Sequence, residues 1–361
     1  MNIAELDSNL RLDTSLTEPD IVWTDAATAP VRLYGAAPES DGAYRRLPAE
    51  VAQRVNPGVA WLYRHTAGIR LRFATDSPYL ALQAKWGDQG GGLEQMSHMA
   101  LSGSAGFDLY AVRNGQQRFA GVALPPVNAS DGFEWLFRLP AGQREYILDF
   151  PLYNGVERLY LGVKAGCRLE PGKETYRAVP PVVFYGSSIT QGGCAARPGS
   201  AYEARLSRLL NVDFVNLGFS GNARGETAMA EYIGKQKMSA FVCDYDHNAV
   251  SPAALRETHH AFYETVRRAQ PTVPYVMVSR PNRTEDWDTR QRLAVIAESY
   301  AAGIAAGDQN LYLVAGNGFF PGDTADDCTV DGCHPTDLGF YFMAQGLAPL
   351  LERLLAAAEL G

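Results

Sequence analysis

Ser188 lies in a stretch of small residues, Gly186 to Gly193, that directly follows the short apolar run Val182 to Tyr185. Such a run is typical of a buried strand, and open α/β sheets place their ligands at the carboxyl ends of their strands. A serine hydroxyl at that edge can act as a nucleophile if the fold supplies a base, a group that orients the base, and donors for an oxyanion. These groups should lie on neighbouring loops of the same sheet edge.

His334 and Asp331, just before the last predicted helix, have the spacing of a base and its orienting carboxylate. A carboxylate three residues upstream can accept a hydrogen bond from imidazole Nδ1, which leaves Nε2 free to take a serine proton. Taken alone, the pair fits a helix-capping aspartate beside a surface histidine at least as well.

Two further loops follow predicted strands and carry candidate oxyanion donors. Gly221 has no side chain, so its backbone N–H can face an oxyanion together with the N–H of Ser188. An asparagine side chain, such as that of Asn222 or Asn248, could add a third donor. Taken alone, Gly221 is explained by an ordinary turn, and Asn248 is explained by a position near a helix N-terminus. The predicted convergence of four loops at one sheet edge favours a catalytic site over these explanations.

Apolar runs alternate with amphipathic segments from about residue 180 onward, which predicts a doubly wound α/β domain. In a flavodoxin-like sheet of order 2-1-3-4-5, the loops after the first three strands converge beside Ser188. The predicted strands are Val182–Tyr185, Phe214–Leu217, Ala240–Cys243, Tyr275–Ser279 and Leu311–Val314, and the predicted helices cover 200–211, 226–236, 253–269, 288–306 and 337–356.

The segment from about residue 20 to 165 has a different pattern. Apolar residues alternate with Arg70 and Arg72, which is typical of a half-buried strand. Asn114-Gly115 and Asn154-Gly155 lie between apolar runs, as tight hairpin turns do. Long helical patterns are absent, so we predict an antiparallel β-sandwich of jelly-roll type.

The chain has 361 residues, of which 46% are hydrophobic and 20% charged, a balance that supports two globular domains. The segment Pro171 to Pro181 is the expected junction. We therefore predict a β-sandwich domain at residues 1–175 and a catalytic α/β domain at residues 176–361.

The net charge of -8 argues against nucleic acid or an anionic membrane as the main partner. No apolar run reaches 18 residues, and the start, Met1 to Asp7, lacks the basic and apolar regions of a signal peptide. The five cysteines are scattered and form no CxxC pair, so we expect reduced thiols in a cytoplasmic protein. A disulfide between Cys328 and Cys333 is the alternative.

Four segments of the second half resemble the sequence blocks of the SGNH (GDSL-type) hydrolases. They are Gly186-Ser187-Ser188-Ile189, the Ser220-Gly221 turn, an asparagine after the third strand, and Asp331 with His334-Pro335. In the first half, Gly106-Phe107-Asp108-Leu109-Tyr110 and the segment Phe150 to Val156 resemble the Gly-x-Asp-Leu-Tyr β-sandwich domain that precedes some SGNH catalytic domains.

The resemblance implies roles for individual residues. Ser188 would be the nucleophile, His334 the base, Asp331 the group that orients the base, and Gly221 an oxyanion donor. The chain departs from the family pattern at two places. Ser187 stands where members usually have aspartate, and Asp244-Tyr245-Asp246-His247-Asn248 stands where they usually have Gly-x-Asn-Asp. For the asparagine that the resemblance implies as the third oxyanion donor, we favour Asn248, with Asn222 as the alternative.

His98, Asp108 and Arg280 are candidate substrate-binding residues. The loops of the first domain that carry His98 and Asp108 could overhang the serine, although polar residues satisfied between strands would explain both. Arg280 and Arg283 follow the fourth predicted strand, where they could bind a substrate carboxylate. A solvated loop is the simpler explanation of these arginines.

Asp244, Asp246 and His247 could bind a divalent metal ion, because carboxylates and imidazole are suitable ligands. A buried polar network that shapes the loop explains the same residues, and the serine hypothesis accounts for more of the chain. We therefore predict neither a metal nor an organic cofactor.

The sequence thus predicts a serine enzyme that forms an acyl-enzyme from a small-molecule ester or thioester and passes the acyl group to water or to an alcohol. Hydrolysis and transfer use the same residues and differ in how well the site excludes water. The resemblance implies either an esterase, often one acting on sugars, or an acyltransferase of polyketide natural-product biosynthesis. A non-catalytic carbohydrate-binding protein on a degenerate SGNH fold is the alternative from another class, and the intact set of Ser188, Asp331 and His334 argues against it.

Overall fold

A computed structural model describes residues 14–38, 44–87, 96–281 and 286–360. It shows two regions that pack against each other. The first is built from antiparallel sheets, and the second surrounds a parallel sheet.

Two antiparallel sheets form the first region. Their strands are β1 (Ile21–Asp25), β2 (Arg32–Tyr34), β3 (Arg70–Thr75), β4 (Tyr79–Lys85), β5 (Phe107–Arg113), β6 (Gln116–Ala123), β7 (Gly132–Arg138), β8 (Arg144–Asp149), β9 (Arg158–Lys164) and β10 (Leu169–Glu170). One sheet has the order β1-β9-β4-β7, and the other has the order β10-β3-β8-β5-β6 with β2 paired to β3. Short helices α1 (Ala49–Val55), α2 (Pro57–Leu62) and α3 (Leu101–Ser104) lie between strands.

Apolar side chains from both sheets form the core between them. Leu71, Phe73 and Leu148 of one sheet and Leu82 and Leu161 of the other are fully buried in one cluster. The antiparallel β-sandwich prediction is therefore confirmed.

One of the two predicted hairpin turns is present. Asn114 and Gly115 join β5 to β6 with φ values of 52° and 73°, as a two-residue type I′ turn requires. The prediction for Asn154-Gly155 is wrong, because this segment connects β8 to β9, which belong to different sheets. Gly155 instead forms an isolated bridge with His65.

Arg70 and Arg72 do not lie on a solvated strand face, so the half-buried prediction for β3 is wrong. They are 1% and 2% exposed, because the second region covers this part of the sheet. Arg70 donates to the hydroxyl of Tyr176 at 2.8 Å and to the carbonyl oxygen of Phe214 at 3.2 Å, and it pairs with Asp213. The alternating pattern cannot distinguish a face covered by water from a face covered by a polar interface.

A five-stranded parallel sheet forms the centre of the second region. Its strands are β11 (Val182–Gly186), β12 (Phe214–Gly218), β13 (Ala240–Asp244), β14 (Tyr275–Val278) and β15 (Leu311–Val314). The spatial order β12-β11-β13-β14-β15 is the predicted order 2-1-3-4-5, so the flavodoxin-like fold is confirmed. Side chains of β11 enter two cores in turn, with Val182 and Phe184 in one and Val183 and Tyr185 in the other.

Helices cover both faces of this sheet. They are α4 (Ser188–Gln191), α5 (Tyr202–Leu210), α6 (Thr227–Ile233), α7 (Pro252–Ala269), α8 (Trp287–Ala305) and α9 (Asp337–Leu360). Their ends follow local rules: Ser251 caps α7 by accepting a hydrogen bond from Ala254 N, and Pro252 is its first residue. In the part of the chain that the structure describes, no helix combines the length and apolarity needed to cross a bilayer.

β10 ends at Glu170 and β11 begins at Val182, so the predicted domain boundary at residues 175 and 176 falls between them. The position of the boundary itself stays a prediction.

Arg46 joins the two regions through a buried guanidinium group. Its Nη1 donates to Gly218 O at 2.6 Å in the second region, while Nε donates to His65 O at 2.6 Å and Nη2 to Leu62 O at 2.7 Å in the first. Burial lowers the pKa of Arg46 to about 9, so the group remains charged at neutral pH. Gly218 is the last residue of β12, and the loop that carries Gly221 starts directly after it.

Replacing Arg46 by alanine should destabilise the protein strongly, because the carbonyl groups of Leu62, His65 and Gly218 would lose a charged donor. We expect the free energy of unfolding to fall by at least about 3 kcal/mol. Urea denaturation monitored by tryptophan fluorescence measures this change.

Arg54→Ala is the matched control. Arg54 also connects the two regions, through Glu231 at 3.1 Å, but the two side chains are 63% and 48% exposed. Exposed ion pairs contribute less than about 1 kcal/mol. Equal losses of unfolding free energy in the two variants would contradict the structural importance of Arg46.

Candidate active site

Ser188 is the first residue of α4, at a sharp turn after β11. The turn requires glycine at position 186, where a Cβ would lie 2.0 Å from Thr190 Oγ1 and 2.3 Å from Asp244 O. The Ser187 hydroxyl caps α4 by accepting a hydrogen bond from Ile189 N at 3.1 Å. Serine and aspartate are both good caps, which explains how serine can stand here in place of the aspartate usual in the resembling family.

Asp331 and His334 lie on a loop whose ends are held together. Thr329 and Pro335 form an antiparallel bridge at its base. Inside the loop, Asp331 Oδ1 accepts hydrogen bonds from the backbone N–H groups of Cys333 at 3.0 Å and His334 at 2.7 Å. These contacts fix the carboxylate relative to the imidazole.

The side chains of Ser188, His334 and Asp331 form a continuous hydrogen-bonded line. Ser188 Oγ lies 2.9 Å from His334 Nε2, and His334 Nδ1 lies 2.8 Å from Asp331 Oδ2. The structure thus brings together the three residues predicted to act as nucleophile, base and orienting carboxylate. The arrangement allows His334 to accept the serine proton while Asp331 stabilises the resulting imidazolium.

Asp331 is ionised at neutral pH. Partial burial acts to raise its pKa, but hydrogen bonds from the backbone and side chain of His334 and from the Cys333 backbone outweigh burial and lower the pKa to about 2. A carboxylate in this place accepts a hydrogen bond from His334 Nδ1–H and leaves Nε2 directed at Ser188.

Two backbone N–H groups can serve an oxyanion. Among the described residues, neither the N–H of Ser188 nor that of Gly221 donates to another group of the chain. Gly221 has φ 69°, and a Cβ there would meet nothing within 4 Å, so this backbone borders open space. The loop is held against α4 because Gln191 Oε1 accepts a hydrogen bond from Ser220 N at 3.0 Å.

The two candidate asparagines differ in their contacts. Asn248 Nδ2 donates to Phe219 O at 2.9 Å, which links the loops after β12 and β13 and leaves a second N–H on the same amide. Asn222 Nδ2 turns back to Ser220 O at 2.7 Å, and its amide packs against Gly58. These contacts favour Asn248 as the third donor, and its function stays a prediction.

Two buried residues make contacts with or near Ser188 that the sequence did not predict. The Tyr153 hydroxyl, from the first region, donates to Ser188 O at 3.1 Å, and Gln191 Nε2 donates to Leu152 O at 3.1 Å. Both contacts fasten α4 to the β-sandwich. Both residues lie in or next to the segments that carry the family resemblance, but contacts between segments distant in sequence leave no periodic pattern.

His98 lies over the loop of Asp331 and His334, which is called the catalytic loop here because it carries the predicted base. Its ring centroid is 5.3 Å from that of His334, and the two rings are inclined by 52°. A loop of the first region therefore overhangs the histidine beside Ser188. Contact between His98 and a substrate stays a prediction.

Asp108 is not accessible to a substrate, which corrects that expectation. It is fully buried, and both of its oxygens accept hydrogen bonds from Gly199 N at 3.1 Å. Arg197 Nη1 donates to Oδ2 at 3.1 Å. Burial and the neighbouring Asp149 raise the pKa of Asp108. Asp108 thus joins β5 to the segment before α5.

Arg280 makes contacts within the protein. Its Nη2 donates to Thr289 Oγ1 at 2.7 Å and lies 3.4 Å from Asp288 Oδ2, and its backbone N–H donates to Asp246 Oδ2 at 3.1 Å. The side chain is 13% exposed, and its contact with a substrate stays a prediction. Arg283 lies outside the described residues.

His247 and Asp246 belong to a polar network beside the catalytic loop. Burial and the positive charge of Arg280 lower the pKa of His247 to about 3, so this imidazole is neutral at neutral pH. Burial raises the pKa of Asp246 to about 6, although the hydrogen bond from Arg280 N acts to lower this pKa. Among the described residues, Asp244, Asp246 and His247 do not converge closely enough to share one ion, which favours the loop-shaping interpretation over the metal site.

All five cysteines are free thiols, so the alternative of a disulfide between Cys328 and Cys333 is wrong. Cys333 Sγ lies 3.6 Å from His247 Nδ1, and Cys328 Sγ lies 3.2 Å from Thr324 O. The two thiols therefore have separate surroundings.

Two family models match the chain. The model of the GDSL-like lipase/acylhydrolase family matches residues 180–352, and the GxDLY model, which describes the N-terminus of SGNH-hydrolase-type esterases, matches residues 21–169. A search of curated protein sequences gives no match.

Solved structures resemble the chain over both regions. A candidate GDSL-like lipase from Bacteroides ovatus ATCC 8483 is 29% identical with a TM-score of 0.84, over 93% of this chain and 98% of that one. The salicylyl-acyltransferase SsfX3 from a tetracycline biosynthetic pathway is 20% identical with a TM-score of 0.74, over 94% and 98%. A family two carbohydrate esterase from Clostridium thermocellum, in complex with cellohexaose, is 16% identical with a TM-score of 0.58, over 80% and 93%.

The chain belongs to the SGNH (GDSL-type) hydrolase family, in the two-domain form with an N-terminal Gly-x-Asp-Leu-Tyr β-sandwich domain. This membership supports an enzymatic function in the esterase and acyltransferase class.

Asp331→Asn should reduce turnover while preserving the fold. The amide can donate to His334 Nδ1, which stabilises the wrong imidazole tautomer and places the proton on Nε2 toward Ser188. We expect kcat to fall by about a thousandfold or more. Steady-state assays with an activated ester measure the change, and a loss below tenfold would contradict the orienting function.

The low pKa of Asp331 also predicts a dependence of stability on pH. An unfolded aspartate titrates at about 3.9, so the contribution of the ionised carboxylate is complete above that pH and is lost as the pH falls through about 2. Urea denaturation should show wild type to be more stable than Asp331→Asn at pH 7. The difference should shrink between pH 4 and pH 2, and a constant difference would contradict the assigned ionisation.

Proposed function

We propose that the protein is a serine acyl-ester enzyme in which Ser188 attacks the carbonyl carbon of an ester or thioester. The observation that carries the proposal is the pair of contacts at His334, 2.9 Å from Nε2 to Ser188 Oγ and 2.8 Å from Nδ1 to Asp331 Oδ2. His334 takes the hydroxyl proton as the Oγ–C bond forms. It then returns the proton to the leaving alcohol or thiol as the tetrahedral intermediate collapses to the acyl-enzyme.

The negative charge of the tetrahedral intermediate would be stabilised by the backbone N–H groups of Ser188 and Gly221 and by the Asn248 amide. Preorganised donors of this kind contribute about 3 to 4 kcal/mol each to the stability of a transition state. Support comes from the N–H groups of Ser188 and Gly221, which donate to no other group within the described ranges, and from the Asn248 contact that joins the two loops.

The acyl group leaves in a second step, when His334 activates either water or an alcohol. Water makes the protein an esterase or acylhydrolase. Three exposed apolar side chains near the carboxyl edge of the sheet could contact an apolar acyl group: Val250 and Val330 on loops, and Trp287 at the start of α8. They are 78%, 65% and 48% exposed.

Transfer of the acyl group to an alcohol, such as a sugar or a natural product, is the second candidate function. It is supported by the likeness to a salicylyl-acyltransferase over both regions. It is also supported by the position of His98 over His334, since a covered base is less accessible to water.

A fluorophosphonate probe tests whether Ser188 is an activated nucleophile. We expect the folded protein to be labelled at Ser188, as identified by mass spectrometry of the modified peptide. Ser188→Ala should abolish labelling, and His334→Ala should greatly reduce it, because the three residues act as a unit.

Ser187→Ala is the matched control, because it removes a neighbouring hydroxyl that caps α4 and does not contact His334. It should retain labelling at Ser188 and lose about 1 kcal/mol of stability. A folded wild-type protein without label would favour the non-catalytic carbohydrate-binding alternative. Full labelling of His334→Ala would point to His247 as the base.

Product analysis separates hydrolysis from transfer. The enzyme is incubated with a set of acyl esters and thioesters, with and without candidate alcohol acceptors, and free acid and new ester are quantified. An acyltransferase should form new ester faster than free acid when the alcohol is present, whereas an esterase should release acid at a rate that the alcohol does not reduce. Dominant acid release with every acceptor would contradict transfer.

A further inference from the structure

His98, Cys194 and His334 form a cluster of metal-ligating side chains beside Ser188. Within the described residues, theirs is the one group of three whose ligand atoms all lie within 4.8 Å of one another. The three residues come from separate parts of the chain: a loop of the β-sandwich, the turn after α4 and the catalytic loop. They meet because the two regions pack together at this edge.

The backbone directs Cys194 toward His334. Cys194 has φ 72°, a conformation that costs energy for a residue with a side chain, and it is 8% exposed. The preceding residue, Gly193, lies close to its neighbours, since a Cβ there would be 3.0 Å from Ser188 O and from Tyr153 OH and 3.3 Å from His334 Cδ2. The turn therefore runs directly against the imidazole of the base.

The ligand types select a particular class of ion. Two imidazoles and a thiolate suit Zn²⁺ and do not suit Mg²⁺ or Ca²⁺, which prefer oxygen. The ligand atoms around a tetrahedral zinc ion lie about 3.5 Å from one another. The ligand atoms of His98, Cys194 and His334 lie within 4.8 Å of one another, so these distances need to shorten by about 1 Å when the ion binds. A fourth position would remain for water or for Ser188 Oγ.

A zinc ion would bind His334 Nε2, the nitrogen proposed to accept the proton of Ser188. His334 Nδ1 is occupied by Asp331 Oδ2 at 2.8 Å, so Nε2 is the available ligand atom. An imidazole held by a carboxylate is a common zinc ligand. When Nε2 binds the ion, it cannot accept the proton of Ser188, and the 2.9 Å contact between the two is lost.

We propose that His98, Cys194 and His334 form an inhibitory zinc site, in which one ion captures the catalytic base and links the β-sandwich to the catalytic loop. Binding releases the thiol proton of Cys194 to solvent and forms one Zn–S and two Zn–N bonds. The ion-binding half of this proposal is independent of the enzymatic activity, and the inhibitory half rests on the function proposed above.

Cobalt binding tests the site without reference to activity. Co²⁺ replaces zinc in such sites, and a thiolate ligand gives a charge-transfer absorption in the near ultraviolet. We expect this band in the wild-type protein at one equivalent of Co²⁺, displaced by Zn²⁺, and its loss in Cys194→Ser. Cys333→Ser is the matched control and should keep the band, since Cys333 lies beside His247 at 3.6 Å. No band in wild type, or an unchanged band in Cys194→Ser, would overturn the proposal.

Zinc titration of ester turnover tests the inhibition, with each variant compared with its own metal-free rate. Wild type should be inhibited, and excess chelator should restore the rate. Cys194→Ser should need at least about tenfold more zinc for the same inhibition, whereas Cys333→Ser should behave like wild type. Equal zinc sensitivity of Cys194→Ser, or activation by zinc, would overturn the inhibitory site. A cobalt band that depends on Cys194, in a protein without esterase or transferase activity, would support the metal site and contradict the proposed function.

Discussion

The arrangement of the catalytic sheet edge depends on the positive charge of Arg46, which is buried between the two regions. Its guanidinium donates to the carbonyl oxygens of Leu62 and His65 on one side and of Gly218 on the other. A buried charge is tolerated where surrounding polar groups compensate it, and these acceptors surround Arg46 only when both regions are in place. Gly218 ends β12 three residues before Gly221, so Arg46 couples the start of the loop that carries Gly221 to the β-sandwich, and Asn56 adds a hydrogen bond to Asn222 O in the same loop.

The rest of the interface follows the same principle. Arg70 pairs with Asp213, and Asp108 accepts hydrogen bonds from Gly199 and Arg197. Charged groups in a buried interface specify geometry more strictly than apolar ones, because a small displacement leaves a donor or acceptor unpaired. The β-sandwich therefore acts as a fixed support for the nucleophile turn, which it also holds through the hydrogen bond from the Tyr153 hydroxyl to Ser188 O.

Features with a local signature were predictable from the sequence. Strands buried on both faces form continuous apolar runs, so each predicted strand of the parallel sheet lies within one residue of its observed bounds. Asp331 and His334 are three residues apart, so their contact could be predicted from their spacing. Contacts between distant segments could not be predicted. The alternating pattern around Arg70 predicted a side chain exposed to solvent, whereas Arg70 contacts Asp213 and Tyr176. The Asn154-Gly155 pair has the composition of a hairpin turn, although it connects strands of two different sheets.

The two regions contribute different residues to the candidate active site. Ser188, Asp331 and His334 all belong to the second region, and their mutual geometry is set by α4 and the loop closed by Thr329 and Pro335. The first region contributes His98, whose ring lies 5.3 Å from that of His334. The imidazole predicted to act as the base is therefore approached by a side chain from the β-sandwich. It follows that the contacts among Ser188, His334 and Asp331 are set within the α/β region, whereas the surroundings of His334 also depend on how the two regions meet.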